Sequence, residues 1–255
     1  MELLDEQLAG KITSTIESPD WVPMKLSRLV RFVDGDRSSE YPSDNDLVEG
    51  GIPFFSSKQI KRRSLSLVGA KSISKEKFDR LGRGKLQDGD IIITVRGTLG
   101  NSAIFRTTLA RTGFINAQLM IMRPRGHFEP ELLHFFTRSM AWERQIAIEG
   151  YGSAQKQLNQ DILRRFVGRY PLATDADHWK GISGKLISSH EKIVASVEVS
   201  VERLREFGSA LITAAVTGQI DVATCGKHGA TDRHLDDIEA NMVAAAHSER
   251  QQVRA

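Results

Sequence analysis

Three short polar segments, each in a stretch that contains a glycine, carry the side chains with the clearest binding chemistry. They are Ser57, Lys58 and Gln59; then Arg96, Thr98 and Asn101; then Ser153, Gln155, Lys156 and Asn159. Arginine and lysine can reach guanine O6 and N7 or a phosphate, amides can pair with adenine N6 and N7, and hydroxyls suit phosphates. The residue types predict contacts with double-stranded DNA rather than a small ligand, although each segment alone is first of all a turn.

The distribution of charge favours the same partner more strongly than the net charge does. The chain has 35 Lys and Arg against 32 Asp and Glu, a net charge of +3. Residues 34–49 are acidic, whereas residues 58–85 and the cluster around Asp161 are basic. Local basic excess is typical of a surface that binds a polyanion, and a merely solvated surface is the alternative. We expect phosphate contacts from five residues, which are Lys61, Arg62, Arg63, Arg164 and Arg165.

Motifs for catalysis are absent from the sequence. It has no Walker loop, no Gly-rich dinucleotide fingerprint, no HExxH and no GxSxG, and its seven histidines lack metal-ligand spacing. We therefore expect a non-catalytic chain with no metal and no cofactor of its own. A nuclease or methyltransferase with an unrecognised site is the alternative.

The number of cysteines and the lengths of the apolar runs indicate the cellular compartment. Cys225 alone excludes an internal disulfide framework and a Cys-based zinc finger, which favours a reducing compartment. No apolar run approaches the roughly 20 residues of a membrane span, and the acidic N-terminus does not resemble a secretory signal. We expect a cytoplasmic protein without a membrane partner.

A strand-rich domain must position the polar segments. Short apolar runs separated by glycine turns predict five strands, at residues 52–56, 65–68, 91–95, 102–105 and 119–122. Apolar residues at helical spacing from Pro130 onward predict one helix, at residues 130–148. Residues 34–51 are expected to form a loop, and residues 1–20 a short helix or a loose arm. The predicted class is α+β, with a globular domain over residues 21–172.

A second element follows this domain. Residues 179–217 contain no proline and repeat apolar residues at coiled-coil spacing, with a seam of Leu186, Ile193, Val197, Leu204, Phe207 and Leu211. A helix of this length would span on the order of 55–60 Å, which indicates pairing with another helix. The alternative is an amphipathic helix folded back on its own domain. Residues 218–255 carry no clear core pattern and are expected to be a partly flexible tail.

The order and spacing of several motifs resemble a known family, the specificity subunits of type I restriction-modification systems. The matching stretches are 21–26, 34–42, 51–60, 89–97, 116–120 (Asn-Ala-Gln-Leu-Met), 152–156 (Gly-Ser-Ala-Gln-Lys) and 215–220 (Ala-Val-Thr-Gly-Gln-Ile). Each motif alone is loose, and the resemblance covers residues 21–222.

The resemblance implies a target recognition domain over residues 21–172 and a coiled-coil dimerisation or spacer helix over residues 179–217. In that family the domain reads half of a bipartite DNA site, and methylation subunits dock on the helix. S-adenosylmethionine, ATP and Mg²⁺ would then belong to the methylation and the restriction or translocase subunits. The usual subunit has two domains and two helices, whereas this chain has one of each. A homodimer, a pair with another half subunit and a truncated product are the possibilities.

Overall fold

The computed structural model describes residues 2–61, 63–150, 157–172 and 175–218. The helices are α1 (Glu2–Ile16), α2 (Leu26–Leu29), α3 (Lys75–Arg80), α4 (Pro130–Phe136), α5 (Met140–Gly150), α6 (Gln160–Arg165) and α7 (Ala176–Val216). The strands are β1 (Trp21–Lys25), β2 (Val30–Asp34), β3 (Leu47–Phe55), β4 (Ile60–Lys61), β5 (Ser64–Leu65), β6 (Lys71–Ile73), β7 (Ile91–Thr94), β8 (Ser102–Ile104), β9 (Phe114–Ile115), β10 (Leu119–Pro124) and β11 (Val167–Pro171).

A four-stranded antiparallel sheet in the order β2-β10-β7-β8 forms the centre of the domain. Successive side chains of a strand point to opposite faces, and here both faces are buried. Ile91 and Ile93 of β7 join one apolar cluster, whereas Ile92 joins a second cluster on the other face. The continuous Ile-Ile-Ile run in the sequence is explained by this two-sided burial.

Three smaller sheets surround the central one. They are the three-stranded sheet β6-β3-β9 and the pairs β1-β11 and β4-β5. The β1-β11 pair joins the beginning of the domain to its end, because Trp21 lies opposite Pro171. These strands together with α7 confirm the predicted α+β class, a strand-rich domain followed by a long helix.

The N-terminal segment is a helix, one of the two possibilities that the sequence left open. Leu8, Ile12 and Ile16 of α1 lie in the main apolar cluster, which also contains Trp21 of β1. Residues 1–194 form one compact unit, so α1 packs as part of the domain.

The predicted single helix over residues 130–148 is wrong, because the structure has two helices there. The Thr137 hydroxyl donates to the carbonyl oxygen of His134 at 2.7 Å, and the Ser139 hydroxyl donates to that of Phe136 at 2.7 Å. The Ser139 Oγ also accepts from the backbone N–H of Trp142 at 3.2 Å, which caps the start of α5. Hydroxyl side chains that satisfy free backbone groups favour a helix end at this position.

The predicted loop over residues 34–51 is only partly a loop. Residues 47–51 belong to β3, which pairs with β6 and has a register shift between Leu47 and Ile52. The predicted strand over residues 65–68 is shorter in the structure and ends at Leu65.

Candidate nucleic-acid interface

The polar segments that the sequence singled out are positioned by one end of the central sheet. Asp34 at the end of β2 pairs with Met120, and Thr94 at the end of β7 pairs with Leu119 at the start of β10. Because adjacent strands are antiparallel, the loops after β2 and β7 and the loop before β10 lie at the same end of the sheet. We call this end, with residues 56–59, 95–101, 116–118 and 157–160, the loop surface.

The loop after β7 is held tightly and presents Arg96 and Thr98 to solvent. The backbone N–H of Gly100 donates to the Thr94 carbonyl oxygen at 2.9 Å, and the indole N–H of Trp142 donates to the Gly100 carbonyl oxygen at 2.9 Å. Gly100 has a φ of 75°, and a Cβ there would lie 2.7 Å from a side-chain carbon of Ile146. Glycine is therefore required at this turn. The side chains of Arg96 and Thr98 are exposed at its tip.

Asn101, the third predicted contact in this loop, is only partly exposed. Its side-chain amide donates to the Ile60 carbonyl oxygen at 3.4 Å, and its side-chain oxygen accepts from the N–H of Ser102 at 3.1 Å. These bonds connect the 95–101 loop to β4, so the Asn101 side chain already has a role within the protein.

The three residues of the Ser57–Gln59 turn differ in burial, since Ser57 is partly exposed, Lys58 is exposed and Gln59 is buried. Gln59 is 4% exposed, and its Oε1 accepts from the N–H of Ser56 at 3.0 Å and from the Ser56 hydroxyl at 2.8 Å. This capping box fixes the turn. Gln59 therefore supports the turn, while Ser57 and Lys58 lie at the surface.

Two further polar residues of the loop surface, Asn116 and Gln118, were not among the predicted contacts. The Gln118 Oε1 accepts from the Ser57 hydroxyl at 3.1 Å and from the Asn116 side-chain amide at 3.3 Å. The Asn116 Oδ1 in turn accepts from the backbone N–H of Gln118 at 3.0 Å, which sets the orientation of both amides. The Gln118 NH₂ is left as a pure donor, suited to a phosphate oxygen, guanine O6 or N7, or thymine O4. The signal in the sequence was an Asn-Ala-Gln tripeptide directly before the apolar run of β10.

Residues 157–159, the described part of the third predicted segment, begin beside the loop that follows β7. Gln157 forms an isolated antiparallel bridge with Arg96, and the N–H of Leu158 donates to the Val95 carbonyl oxygen at 3.0 Å. Asn159 is exposed, and its Oδ1 caps α6 by accepting from the N–H of Ile162 at 2.9 Å. The predicted contacts Ser153, Gln155 and Lys156, together with Arg62, lie outside the described residues.

The five predicted phosphate contacts differ in their surroundings. Lys61, Arg164 and Arg165 are exposed. Arg164 has a surface ion pair with Asp161 at 3.8 Å and donates to the Gln160 side-chain oxygen at 3.1 Å, and Arg165 has a surface ion pair with Glu149 at 3.5 Å. Such pairs are weak and leave the guanidinium groups accessible.

The Arg63 guanidinium is already occupied inside the protein. It donates to the carbonyl oxygens of Gly100 and Thr137 at 3.0 and 3.1 Å and to Glu143 at 3.1 Å. Burial lowers the pKa of Arg63, and Glu143 opposes that effect. Arg63 ties the 95–101 loop to the helical side of the domain, which is a different environment from that of a surface phosphate contact.

Much of the basic excess in residues 58–85 faces the acidic loop. Lys71 pairs with Asp44 at 3.1 Å, Lys77 with Asp46 at 3.4 Å, and Arg80 with Glu40 at 3.1 Å; these are pairs between two segments that the sequence showed as separate charge clusters. Within the described part of residues 58–85, the exposed bases Lys58, Lys61 and Arg83 have no ion-pair partner within 4.0 Å, and the same is true of Arg96 in the loop after β7. Three of these four, Lys58, Lys61 and Arg96, lie at or next to the loop surface.

Asp36 anchors the acidic loop near this surface. Its carboxylate accepts from the backbone N–H groups of Ser38 at 2.8 Å, Gly82 at 2.7 Å and Arg83 at 3.3 Å. Hydrogen bonds, led by those from Ser38, lower the pKa of Asp36 from 3.8 to about 2. The loop that follows β2 is therefore fastened to the segment after α3.

The long helix α7 has two kinds of surface along its length. Near its start, Trp179, Leu186 and Ile187 pack against the main cluster of their own domain, and Trp21 meets Trp179 with ring centroids 5.7 Å apart. Later apolar residues of the predicted seam are open: Leu204 is 69% exposed, Phe207 65% and Leu211 37%. Ile193 is also exposed, and Val197 is partly exposed. The first turns of α7 therefore pack on their own domain, as the alternative to a coiled coil predicts. The last turns of α7 carry an exposed apolar stripe.

Two kinds of feature are absent from the described parts of the chain. No group of three or more His, Cys, Asp or Glu side chains there could hold a metal ion. None of the helices in these parts is long and apolar enough to cross a membrane.

Several solved proteins are similar to this chain in fold. One belongs to a type I restriction-modification system, described for its complex assembly and conformational transition. It has a TM-score of 0.63 and 16% identity, and the match covers 84% of this chain and 51% of that one.

Two specificity subunits are also similar. The HsdS subunit from Thermoanaerobacter tengcongensis has a TM-score of 0.57 and 16% identity over 86% of this chain and 51% of its own. The type I S subunit from M. genitalium has a TM-score of 0.53 and 12% identity over 82% of this chain and 52% of its own. No family model and no curated protein sequence matches the chain.

These similarities confirm the resemblance at the level of the fold. The chain has the fold of a type I S subunit, and it spans about half the length of the solved chains that it matches.

Proposed function

We propose that this chain is the DNA sequence-specificity subunit of a type I restriction-modification complex, in a half-sized form. It reads one DNA half-site, docks methylation subunits and performs no chemistry itself. The observation that carries the proposal is the structural match, which covers 84% of this chain but only 51% of the solved one. One recognition domain and one long helix correspond to one half of such a subunit.

The loop surface is the part of the domain that contacts DNA in this proposal. Exposed Lys58, Arg96, Thr98 and Asn159, with the partly exposed Ser57, supply hydroxyl, cationic and amide groups there. The Gln118 NH₂ adds donors directed by Ser57 and Asn116. Lys61, Arg164 and Arg165 contact phosphates, because they are exposed and weakly paired. Ser153, Gln155, Lys156 and Arg62 remain predicted contacts.

Gln59, Asn101 and Arg63 have a different part in this proposal. Their polar atoms are used by the turns that they hold, so they position the contact loops. A change at these three residues would affect DNA binding through loop geometry and would also lower stability.

The exposed stripe on α7 is the surface for a second copy of the chain. Two copies paired through Leu204, Phe207 and Leu211 would have two recognition domains, as a full-length specificity subunit does. Such a homodimer would read symmetric half-sites. A methylation subunit or another half subunit would compete for the same stripe.

The chemistry of the complex belongs to other subunits in this proposal. S-adenosylmethionine would bind the methylation subunit, and ATP and Mg²⁺ would serve the restriction or translocase subunit. The chain itself would need no cofactor, in the cytoplasm where its DNA is found.

The salt dependence of duplex binding tests DNA recognition. Neutralising about five phosphates should lower log K by about 0.9 per phosphate for each tenfold rise in salt. Arg96→Ala should weaken binding by about 1–3 kcal/mol, since the side chain is exposed and unpaired within the described ranges. Arg205→Ala is the control, because Arg205 is an exposed arginine of α7. A slope near zero would exclude DNA as the partner.

A coiled-coil interaction protein without base recognition is the second candidate, favoured by the exposed stripe alone. In that case Leu204→Asp with Phe207→Asp would abolish function in cells, whereas Arg96→Ala would have no effect. Turnover of DNA by the purified chain with Mg²⁺ or S-adenosylmethionine would instead indicate an enzyme.

A further inference from the structure

A cavity of about 370 Å³ lies between the first turns of α7, helix α4 and the segment around Arg63 and Ser64. All of its lining residues belong to the compact unit of residues 1–194. Four cationic and two acidic side chains line it: Arg63, Arg106, Arg138 and Lys180, with Glu131 and Glu191. The loop surface does not include these residues.

Arg138 differs from the other three cations. It is 8% exposed, yet among the described residues no carboxylate oxygen lies within 4.0 Å of its guanidinium and no acceptor lies within hydrogen-bond distance. A guanidinium has five N–H donors, and none of the Arg138 nitrogens is among the fully buried side-chain atoms that lack a hydrogen-bond partner in the described residues, so these donors have access to solvent. Burial lowers the pKa of Arg138, but arginine keeps its charge in proteins. The unpaired donors of Arg138 are therefore open to an acceptor that enters the cavity.

The remaining cations are already held by the walls. Arg106 pairs with Asp88 at 3.1 Å and with Glu131, and the Lys180 ammonium lies 2.8 Å from Glu129. Arg63 is bound to two carbonyl oxygens and to Glu143, as described above. These contacts leave Arg138 as the cation without a fixed partner on the cavity wall.

Four titratable residues act on Arg138 electrostatically, which are His134, Glu191, Arg63 and Asp5. His134 is neutral, because burial and then the charge of Arg138 lower its pKa to about 3. Glu191 is exposed on α7 and attracts Arg138 electrostatically without touching it. Gly184 of α7 also lines the cavity, and a Cβ there would meet no atom within 4 Å, so the space is open.

We propose that the cavity is a binding site for a phosphate group of a small molecule, either inorganic phosphate or the terminal phosphate of a nucleotide. The planar fork of Arg138 would hold two phosphate oxygens in a bidentate contact, and Lys180 would add a third donor. The proposal does not depend on DNA recognition by the loop surface.

Titration of the full chain with phosphate tests this site. In a phosphate-free buffer of constant ionic strength, inorganic phosphate should raise the unfolding temperature in a saturable way, whereas chloride should not. Arg138→Gln should weaken phosphate binding by about ten- to a hundredfold, since charged hydrogen bonds contribute that much. Gly184→Leu should also abolish binding by filling the cavity, without lowering the unfolding temperature. Arg205→Gln, at an exposed arginine outside the cavity, should behave as the unchanged chain.

A substitution at Glu191 and a comparison with AMP distinguish the proposed site from its alternatives. Glu191→Gln should tighten phosphate binding by removing a negative charge. If Glu191 is instead the partner of Arg138, Glu191→Gln and Arg138→Gln will each lower the unfolding temperature without phosphate, and the proposal is overturned. AMP that binds more tightly than inorganic phosphate identifies a nucleotide as the source, and equal affinity identifies free phosphate. Weakening of duplex DNA binding by Arg138→Gln, with a smaller salt slope, would assign the site to DNA and overturn a small-molecule ligand.

Discussion

In the proposed homodimer, replacing two leucines of α7 by aspartate should separate the two chains. Leu204 is 69% exposed and Leu211 37% exposed, so together they leave about one whole leucine side chain open to solvent on each helix. Burying that much apolar surface contributes about 2 kcal/mol per helix, or about 4 kcal/mol for two helices. Leu204→Asp with Leu211→Asp removes this gain and also brings like charges together, so the dissociation constant should rise at least about a thousandfold.

Light scattering over a range of protein concentrations measures this effect. The unchanged chain should have twice the mass of the double variant, and both should have the same helix content by circular dichroism, because neither leucine lies in the core clusters. Ser209→Asp with Thr213→Asp adds the same charge on the opposite face of α7 and should remain a dimer. A monomeric unchanged chain, or a double variant that still dimerises, would refute pairing through this stripe.

Two further substitutions test the domain itself. Asp36→Asn should cost about 2 kcal/mol of stability at neutral pH, because the carboxylate has its pKa lowered from 3.8 to about 2. Urea unfolding at several pH values measures the difference in the free energy of unfolding between the variant and the unchanged chain. This difference should have its full value above pH 3.8, the pKa of the unfolded state, and should vanish as the pH falls through about 2. A difference that does not change with pH would contradict this assignment. Arg123→Met should cost about 3–5 kcal/mol, because it leaves the buried Asp90 carboxylate without the guanidinium that it meets through two bonds of 2.7 Å. Asp90→Asn with Arg123→Met should be less destabilising than the sum of the two single changes, and additive effects would exclude a coupled pair.

The sequence predicted the elements whose signal is local. The apolar runs of β7 and β10 and the proline-free repeat of α7 each mark one element, and each is present. Pairings between distant segments carried no such signal. Strands β1 and β11 pair in space although they are far apart in the sequence. No periodicity in Trp21–Lys25 indicates that Val167–Pro171 is its partner.

At the loop surface, residue types in the sequence indicated which side chains have binding chemistry. They did not indicate which of these side chains are buried or hydrogen-bonded within the protein. Ser57 and Arg96 lie at exposed turns, as polar residues near glycine do. Gln59 has the same chemistry in the sequence but is buried by its capping box, and Gln118 acquires its donor character only through Ser57 and Asn116. The Gln59 side chain is held by Ser56, its neighbour in the chain, whereas Gln118 also accepts from Ser57, which is distant in the chain, so local and distant hydrogen bonds together decide which amide is free.

The pairing of the acidic loop with the basic segment also depends on the folded chain. Counting charges along the sequence separated residues 34–49 from residues 58–85, whereas Asp44 and Glu40 neutralise Lys71 and Arg80 in space. The charge that a surface presents therefore depends on which bases the fold pairs with acids, and not on the number of bases in a segment.

The most direct test of the central claim is the pattern of DNA methylation that the chain confers. The chain is co-expressed with a type I methylation subunit from the same genome, the two are co-purified, and methylated positions are mapped across genomic DNA. A single bipartite motif with two symmetric half-sites is predicted, and it should disappear with Leu204→Asp and Leu211→Asp. Failure of the two proteins to co-purify, or methylation that does not change with this chain present, would contradict a specificity subunit that works as one of a pair.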